Sequence, residues 1–191
     1  MSSGKKGLLI GIAAIILIIF MCVVYYYSKA NTFKRMSVEV KSSWAQVENQ
    51  LQRRNDLIPN LVETVKGYAK YEKEVLTEVT NARSRVAGAG TVPDKIAANN
   101  ELSGALSRLM VVVEKYPDLK ANQNFLKLQD ELAGTENRIA TERMRYNQKV
   151  EAYNKAIAMV PGSIVAERRG FKEEAFFEAP KEAKALPQVK F

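Results

Sequence analysis

The chain contains no histidine and a single cysteine, Cys22. The first absence removes the commonest general base and the commonest transition-metal ligand, leaving carboxylates, lysine, tyrosine and hydroxyl side chains to carry any chemistry. The second excludes an intrachain disulfide. Also missing are a phosphate loop, a dinucleotide fingerprint, a Ser-His-Asp set and any Cys/His spacing suited to a metal. The nearest approach to a constellation is acidic: Glu72 with Glu74, Glu136 with Glu142, and Asp130-Glu131. Helical-bundle sites that hold two metals with carboxylates add a Glu-x-x-His ligand from each of two helices, which this sequence cannot supply. The sequence therefore predicts no enzyme, with no catalytic residues, no metal site and no cofactor. Glu72 and Glu142 are expected to pair with Arg or Lys from neighbouring helices, because an isolated buried charge is too costly.

Net charge is scarce over most of the length. Of the formal +8, residues 1–27 carry +2 and residues 28–54 carry +4, so the long remainder is nearly neutral. A nucleic-acid binder displays a basic patch on its folded domain, often beside stacking aromatics, so no nucleic acid is expected as a partner. Apolar residues make up 47% of the 191 positions, yet mean hydropathy is only -0.22, which implies that they are concentrated somewhere.

They are concentrated first at residues 7–27, an uncharged run of about the length needed to cross a bilayer. Tyr25, Tyr26 and Tyr27 close it, as expected of the interfacial belt, where an amphipathic ring keeps its hydroxyl in water. A signal peptide is the rival reading, since Ser28-Lys29-Ala30 resembles a cleavage site, but its apolar region would be too long for one. A lipoprotein fits worse, because bulky Met21 precedes Cys22. Residues 1–6 form a short basic tail ahead of this anchor. Gly7 and Gly11 make a GxxxG step that would let two anchors approach and form a homo-oligomer, although glycine is also ordinary in membrane helices. Lys5 and Lys6 argue for an amino end held inside, whereas Lys29, Lys34, Arg35 and Lys41 argue the reverse. Long domains translocate largely regardless of such charges, and the reading adopted is an exported soluble domain on a single-pass anchor.

From 28 to 55 there is no Pro or Gly, and Phe33, Met36, Val40, Trp44, Val47 and Leu51 recur in steps of three and four. The anchor is therefore expected to run without a hinge into the first bundle helix, over 7–55. A second helix is expected over 57–87, capped by Asn55 or Asp56 with Pro59 in its first turn, its stripe being Ile58, Leu61, Val65, Tyr68, Val75, Val79, Ala82 and Val86. Glu72 fills the one polar slot. Gly88-Ala89-Gly90 supplies a turn; a third helix is expected over 93–116 and a fourth over 121–160. Helices of that length with short connections and one apolar stripe each predict an all-α, antiparallel up-and-down four-helix bundle over 28–160, led by the transmembrane helix. Counting from the turn at Gly88 to Gly90 places Arg108 at the height of Glu72, and a structural Glu72–Arg108 ion pair is expected. Gly104 and Gly134 are expected to meet in a close backbone approach. Residues 161–191 form an irregular tail, whose Phe171, Phe176, Phe177 and Phe191 either pack back on the bundle or dock on a partner.

Two blocks carry a resemblance. The first is Gln50-Leu51-Gln52-Arg53-Arg54 followed by Asp56-Leu57-Ile58-Pro59-Asn60-Leu61-Val62-Glu63-Thr64-Val65-Lys66-Gly67-Tyr68. The second is Tyr116-Pro117-Asp118-Leu119-Lys120-Ala121-Asn122 with Asn124-Phe125, Leu128-Gln129, Glu131-Leu132 and Gly134-Thr135-Glu136-Asn137-Arg138-Ile139-Ala140, then the pairs Tyr146-Asn147 and Tyr153-Asn154. In order and wording they resemble the LemA family of bacterial membrane-anchored helical proteins, from about residue 31 to the end. Tyr71 stands where members often carry His, so a role tied to that histidine is in doubt here. The resemblance implies the bundle architecture and a place in the bacterial cytoplasmic membrane. With the lipid bilayer as one partner, the expected function is a non-enzymatic scaffold or adaptor for envelope or membrane proteins. The alternative is a self-assembling module that binds anionic lipid through the basic balance of residues 28–54.

Overall fold

A computed structural model describes residues 3–69 and 71–178. The all-α fold is observed. The described residues form α1 (Ser3–Tyr68), α2 (Lys73–Gly88), α3 (Val92–Val113), α4 (Pro117–Lys120), α5 (Gln123–Ala158) and α6 (Gly162–Arg169). α1 passes through the Tyr27–Lys34 region without a break, as an uninterrupted apolar period requires.

Two compact units divide the chain, each taking part of α1 and part of α5. In the unit of residues 42–148 and 175–191, α1 supplies Trp44, Val47, Leu51, Ile58, Leu61 and Val65 to a core completed by Leu76 and Val79 of α2, Leu102, Leu106 and Leu109 of α3, and Phe125, Leu132 and Ile139 of α5. Successive helices reverse direction in this unit, giving the antiparallel bundle. Thr91 caps α3 by accepting the Asp94 N–H at 3.3 Å, and Asn122 caps α5 by accepting from Asn124 and Phe125 at 2.9 and 3.1 Å.

Two stretches differ from the expectation: the tail, expected to be irregular from residue 161, opens with helix α6, and one helix boundary is displaced. No helix starts at Leu57; α1 continues through Pro59, and the chain reverses only after Tyr68, where Ala69 leads to Glu72. Pro59 has no N–H for the Asn55 carbonyl four residues back, which normally destabilises a helix interior. Here Arg83 Nε of α2 donates to that carbonyl at 3.3 Å. The stripe was misleading because α1 and α2 feed the same core from both sides of the turn, so the three-and-four spacing survives the reversal.

The other unit comprises residues 1–41 and 149–174. Every described side chain from Gly11 to Tyr25 is exposed, so nothing among the described residues covers this apolar run. Beyond it, Ala30, Phe33 and Val40 of α1 pack with Val150, Tyr153 and Ile157 of α5 and Val165 and Ala166 of α6. Gly162 opens α6 where a Cβ would lie 2.7 Å from the Ala156 carbonyl oxygen and 3.0 Å from the Phe33 ring. Gly170 ends α6 at φ +70, the left-handed conformation that glycine adopts without penalty, and the Phe171 N–H returns to the Ala166 carbonyl at 2.9 Å.

Candidate functional site

A polar layer interrupts the core of the bundle unit. Arg54, Asn55, Asn99 and Thr135 are its buried polar residues, and each occupies a slot in an otherwise apolar stripe of α1, α3 or α5. The Arg54 side chain is only 5% exposed, and its guanidinium pairs with Glu136 Oε2 at 2.8 Å. It also donates to Asn99 Oδ1 at 3.2 Å and to Ser103 Oγ at 3.0 Å. Burial pushes the Arg54 pKa down, and the Glu136 charge offsets part of that. Arginine stays charged under such a shift, and a fork of donors reaching three acceptors on two helices fixes their register. Thr135 bonds within its own helix, donating to the Leu132 carbonyl at 2.8 Å. Sequence reasoning missed this layer. Arg54 and Asn55 follow Val47 and Leu51 at the stripe's own spacing, and that polar slot was the available signal.

On the surface of the same unit, α2 and α3 border an open groove of about 860 Å³. Charged residues of both helices line it: Lys73, Glu74, Glu78 and Arg85 face Glu101 and Arg108. Arg85 Nη1 lies 2.6 Å from Glu101 Oε2, and Arg108 forms a two-pronged pair with Glu78 through Nε and Nη2. These pairs sit seven residues apart on each helix, so a single antiparallel register produces both.

The sequence-derived residues fall as follows. Glu72 and Arg108 each take another partner. Glu72 stands at the N-cap of α2, where its Oε1 accepts a hydrogen bond from Tyr116 Oη at 3.1 Å, and Arg108 pairs with Glu78. The expected height match failed because the α2–α3 register is displaced by about two turns from one centred on Gly88 to Gly90. Burial raises the Tyr116 phenol pKa, and the Glu72 hydrogen bond and charge add to it. Glu142 pairs at 2.6 Å with Arg145 of its own helix, not with a neighbouring one. The close approach expected of Gly104 and Gly134 does not occur. A Cβ on Gly104 would meet nothing within 4 Å, since it faces the groove, and one on Gly134 would meet only the Arg138 side chain at 3.9 Å.

Of the anchor and interface residues, Gly7 and Gly11 are helical, and Gly11 has open space around it. Tyr25 carries Lys29 Nζ 5.6 Å from its ring centre. Tyr26 and Tyr27 lie under the Arg169 guanidinium at 5.2 and 5.5 Å. Lys34 and Arg35 are exposed, with Arg35 Nε 4.0 Å from Glu39.

Of the tail residues, Phe191 lies outside the described residues, and the other three pack unequally. Phe171 meets Phe33 edge to face at 5.7 Å in the anchor unit. In the bundle unit Phe177 is buried against Trp44 at 6.2 Å, while Phe176 is exposed. The two Tyr-Asn pairs explain the packing. Asn154 accepts from the Glu174 N–H and donates to its carbonyl, both at 2.9 Å, in the anchor unit. Asn147 does the same for Phe177 at 2.8 and 3.0 Å in the bundle unit, where Tyr146 Oη donates to the Ala175 carbonyl at 2.8 Å. Within each unit, one Asn side chain thus fastens a residue of the strap that follows α6. Burial raises the Tyr153 pKa, with Glu174 adding to it.

Fold and surface together define an all-α protein whose N-terminal candidate membrane helix continues into an antiparallel bundle. The chain belongs to the LemA family, whose model matches residues 43–191. It is similar to magnetosome protein MamQ 2 of Paramagnetospirillum magneticum, at 28% identity over 78% of this chain and 64% of the relative. Magnetosome protein MamQ of Magnetospirillum gryphiswaldense is 25% identical over 94% of this chain and 75% of its own. Protein LemA of Metamycoplasma hominis is 23% identical over 93% and 84%. This chain thus spans under two thirds of the length of the first of these relatives. Family and relatives fit a membrane-anchored protein.

Proposed function

We propose that this chain is a non-enzymatic scaffold or adaptor, held in the bacterial cytoplasmic membrane by α1 and offering its bundle to envelope or membrane proteins. The observation that carries the reading is how the charged groups of the bundle are used. Arg54, Arg85 and Arg108 each pair with a glutamate of another helix, so these charges are engaged in holding the bundle together. The surface that remains for a partner is the α2–α3 groove, where alternating Arg and Glu suit a polar segment of mixed charge.

The experiment is site-directed photo-cross-linking in native membranes, with the reactive group at Asn100 in the groove and, for comparison, at exposed Val111. Capture of the same discrete protein from Asn100 but not from Val111 supports the groove. Equal, diffuse labelling from both positions removes it. The alternative, a module that organises anionic lipid, gains support from a basic cluster at the end of α6, close to the anchor's tyrosines.

A further inference from the structure

We infer that the α5–α6 corner with the end of α6 is a second membrane contact: it docks on the anionic surface of the bilayer that α1 enters, Arg168 and Arg169 taking headgroup phosphates and Met159, Val160 and Ile164 entering the interface. The inference rests on the anchored reading above and adds a site to it.

Three observations within the anchor unit carry it. The first is height. Arg169 Nε donates to Tyr26 Oη at 3.1 Å, and its guanidinium covers the rings of Tyr26 and Tyr27, the residues that end the apolar run. Gly162, at the start of α6, lies against Phe33. Phe171, two residues beyond Arg169, returns to the same ring, and it is the long Arg169 side chain that reaches from α6 to the tyrosines. A tyrosine belt marks the headgroup level. The Arg169 guanidinium is therefore at that level when α1 spans the bilayer.

The second observation is exposed apolar surface. Met159, Val160 and Ile164 are 58, 79 and 54% exposed, although they adjoin the buried Ile157, Gly162 and Val165. Scattered exposed apolar residues are ordinary, but three clustered at one corner mark a contact surface. Between a belt of tyrosines and a core that has no room for them, the bilayer interface is the apolar phase within reach.

The third is charge. Arg168 and Arg169 are consecutive and exposed in the last turn of α6, and Lys172 and Lys29 are nearby in sequence and along α1. Glu167, Glu173 and Glu174 offset three of these four charges, so the arginines act through their place beside the tyrosine belt and not through a large net charge. Arginine suits the task, because its flat guanidinium can stack on an aromatic ring and still present N–H groups to a phosphate. The basic residues expected to meet lipid were those of 28–54. The fold adds a cluster more than a hundred residues downstream, which sequence order could not have joined to the anchor.

The test uses the full chain with Cys22→Ser and one new cysteine at a time, Val160→Cys, Ile164→Cys or Val111→Cys, each carrying an environment-sensitive fluorophore. A fourth sample is labelled at the native Cys22. Each is reconstituted into phosphatidylcholine vesicles with or without phosphatidylglycerol and probed with a lipid-attached quencher. Quenching at Cys22 in both compositions reports the anchor; its failure would overturn the anchored reading itself. With Cys22 quenched, the inference expects blue-shifted, quenched emission at 160 and 164 in anionic vesicles and none at 111. It also expects Arg168→Gln and Arg169→Gln each to lower the docked-to-undocked ratio about fivefold, as loss of one basic residue at an anionic surface does. Emission at 160 and 164 that matches 111 overturns the second contact. Quenching that ignores both phosphatidylglycerol and the arginine substitutions overturns the headgroup assignment.

Discussion

Arg54 and Arg108 both tie helices of one bundle together and both hold a glutamate, yet their side chains are 5% and 59% exposed. The difference teaches where this protein invests its polar groups. Arg108 reaches Glu78 across an open groove, where water competes and salt screens. Arg54 is wrapped by apolar neighbours and must find every partner inside, so its contacts with Glu136, Asn99 and Ser103 leave no freedom to slide one helix past another. The buried arginine ties α1 to α3 and α5, whereas the exposed pairs join α2 to α3.

The sharpest way to break that comparison is Arg54→Ala. It removes packed stem and leaves Asn99 and Ser103 short of partners, for an expected loss of about 2–4 kcal/mol. Thermal unfolding of the full chain in detergent measures it; a loss no greater than that of Arg108→Ala would mean that burial makes no difference here.

The same contrast between enclosed and open sites holds for glycine. Gly162→Ala forces a Cβ against the Ala156 carbonyl and Phe33, an overpacking expected to destabilise by about 1–3 kcal/mol. Gly104→Ala, with nothing within 4 Å, is expected to stabilise by about 0.5–1 kcal/mol through helix propensity. Melting temperatures that shift in the same direction for both would sink the distinction.

Asn147→Ala lies between these cases, since its two hydrogen bonds to Phe177 are partly buried. The expected effect is about 1–2 kcal/mol and local. Hydrogen exchange at the Phe177 amide should accelerate while amides in the middle of α3 stay protected; equal protection in both proteins would show the strap is held without Asn147.

Arg108→Ala and Arg85→Ala are expected to cost about 0–1 kcal/mol each, less in high salt. A salt-independent loss in either would place its pair in the class of Arg54.

The smallest effect is pH-dependent. Glu39 accepts a hydrogen bond from Lys149 Nζ at 2.9 Å, and that bond, then the Lys149 charge, lowers its pKa. A carboxyl lowered on folding contributes stability that is present above its unfolded pKa and lost as pH falls through the folded value. The stability difference between wild type and Lys149→Ala should therefore shrink on acidification below the ordinary carboxylate range. A difference that grows with acid would reverse the sign.

Much of the architecture was legible because it rests on local rules. Twenty-one uncharged residues ending in tyrosines read as a membrane helix, an unbroken three-and-four spacing carried that helix onward, and glycine and proline marked the α2–α3 and α3–α4 turns. The Pro59 boundary was misread for a reason local rules do not contain. Proline removes a hydrogen bond from its own helix, but a side chain from another helix, Arg83, can take the freed carbonyl. Glu72 was singled out as a polar residue interrupting a stripe but lies at the N-cap of α2, and it was given the wrong partner because counting from a turn fixes helix height only to within the geometry of that turn. Arg54 sat in the same kind of slot and was passed over as part of a motif.

By itself, then, the sequence determined what each segment could be: an apolar helix of bilayer length, amphipathic helices with a common stripe, a tail too aromatic to stay in water. Tertiary structure decided which polar groups meet, because Arg54, Asn99 and Glu136, or Arg169 and Tyr26, are far apart in sequence. Their contact depends on the rotation and register of packed helices. Those are set by the fit of the whole core, which no single segment carries.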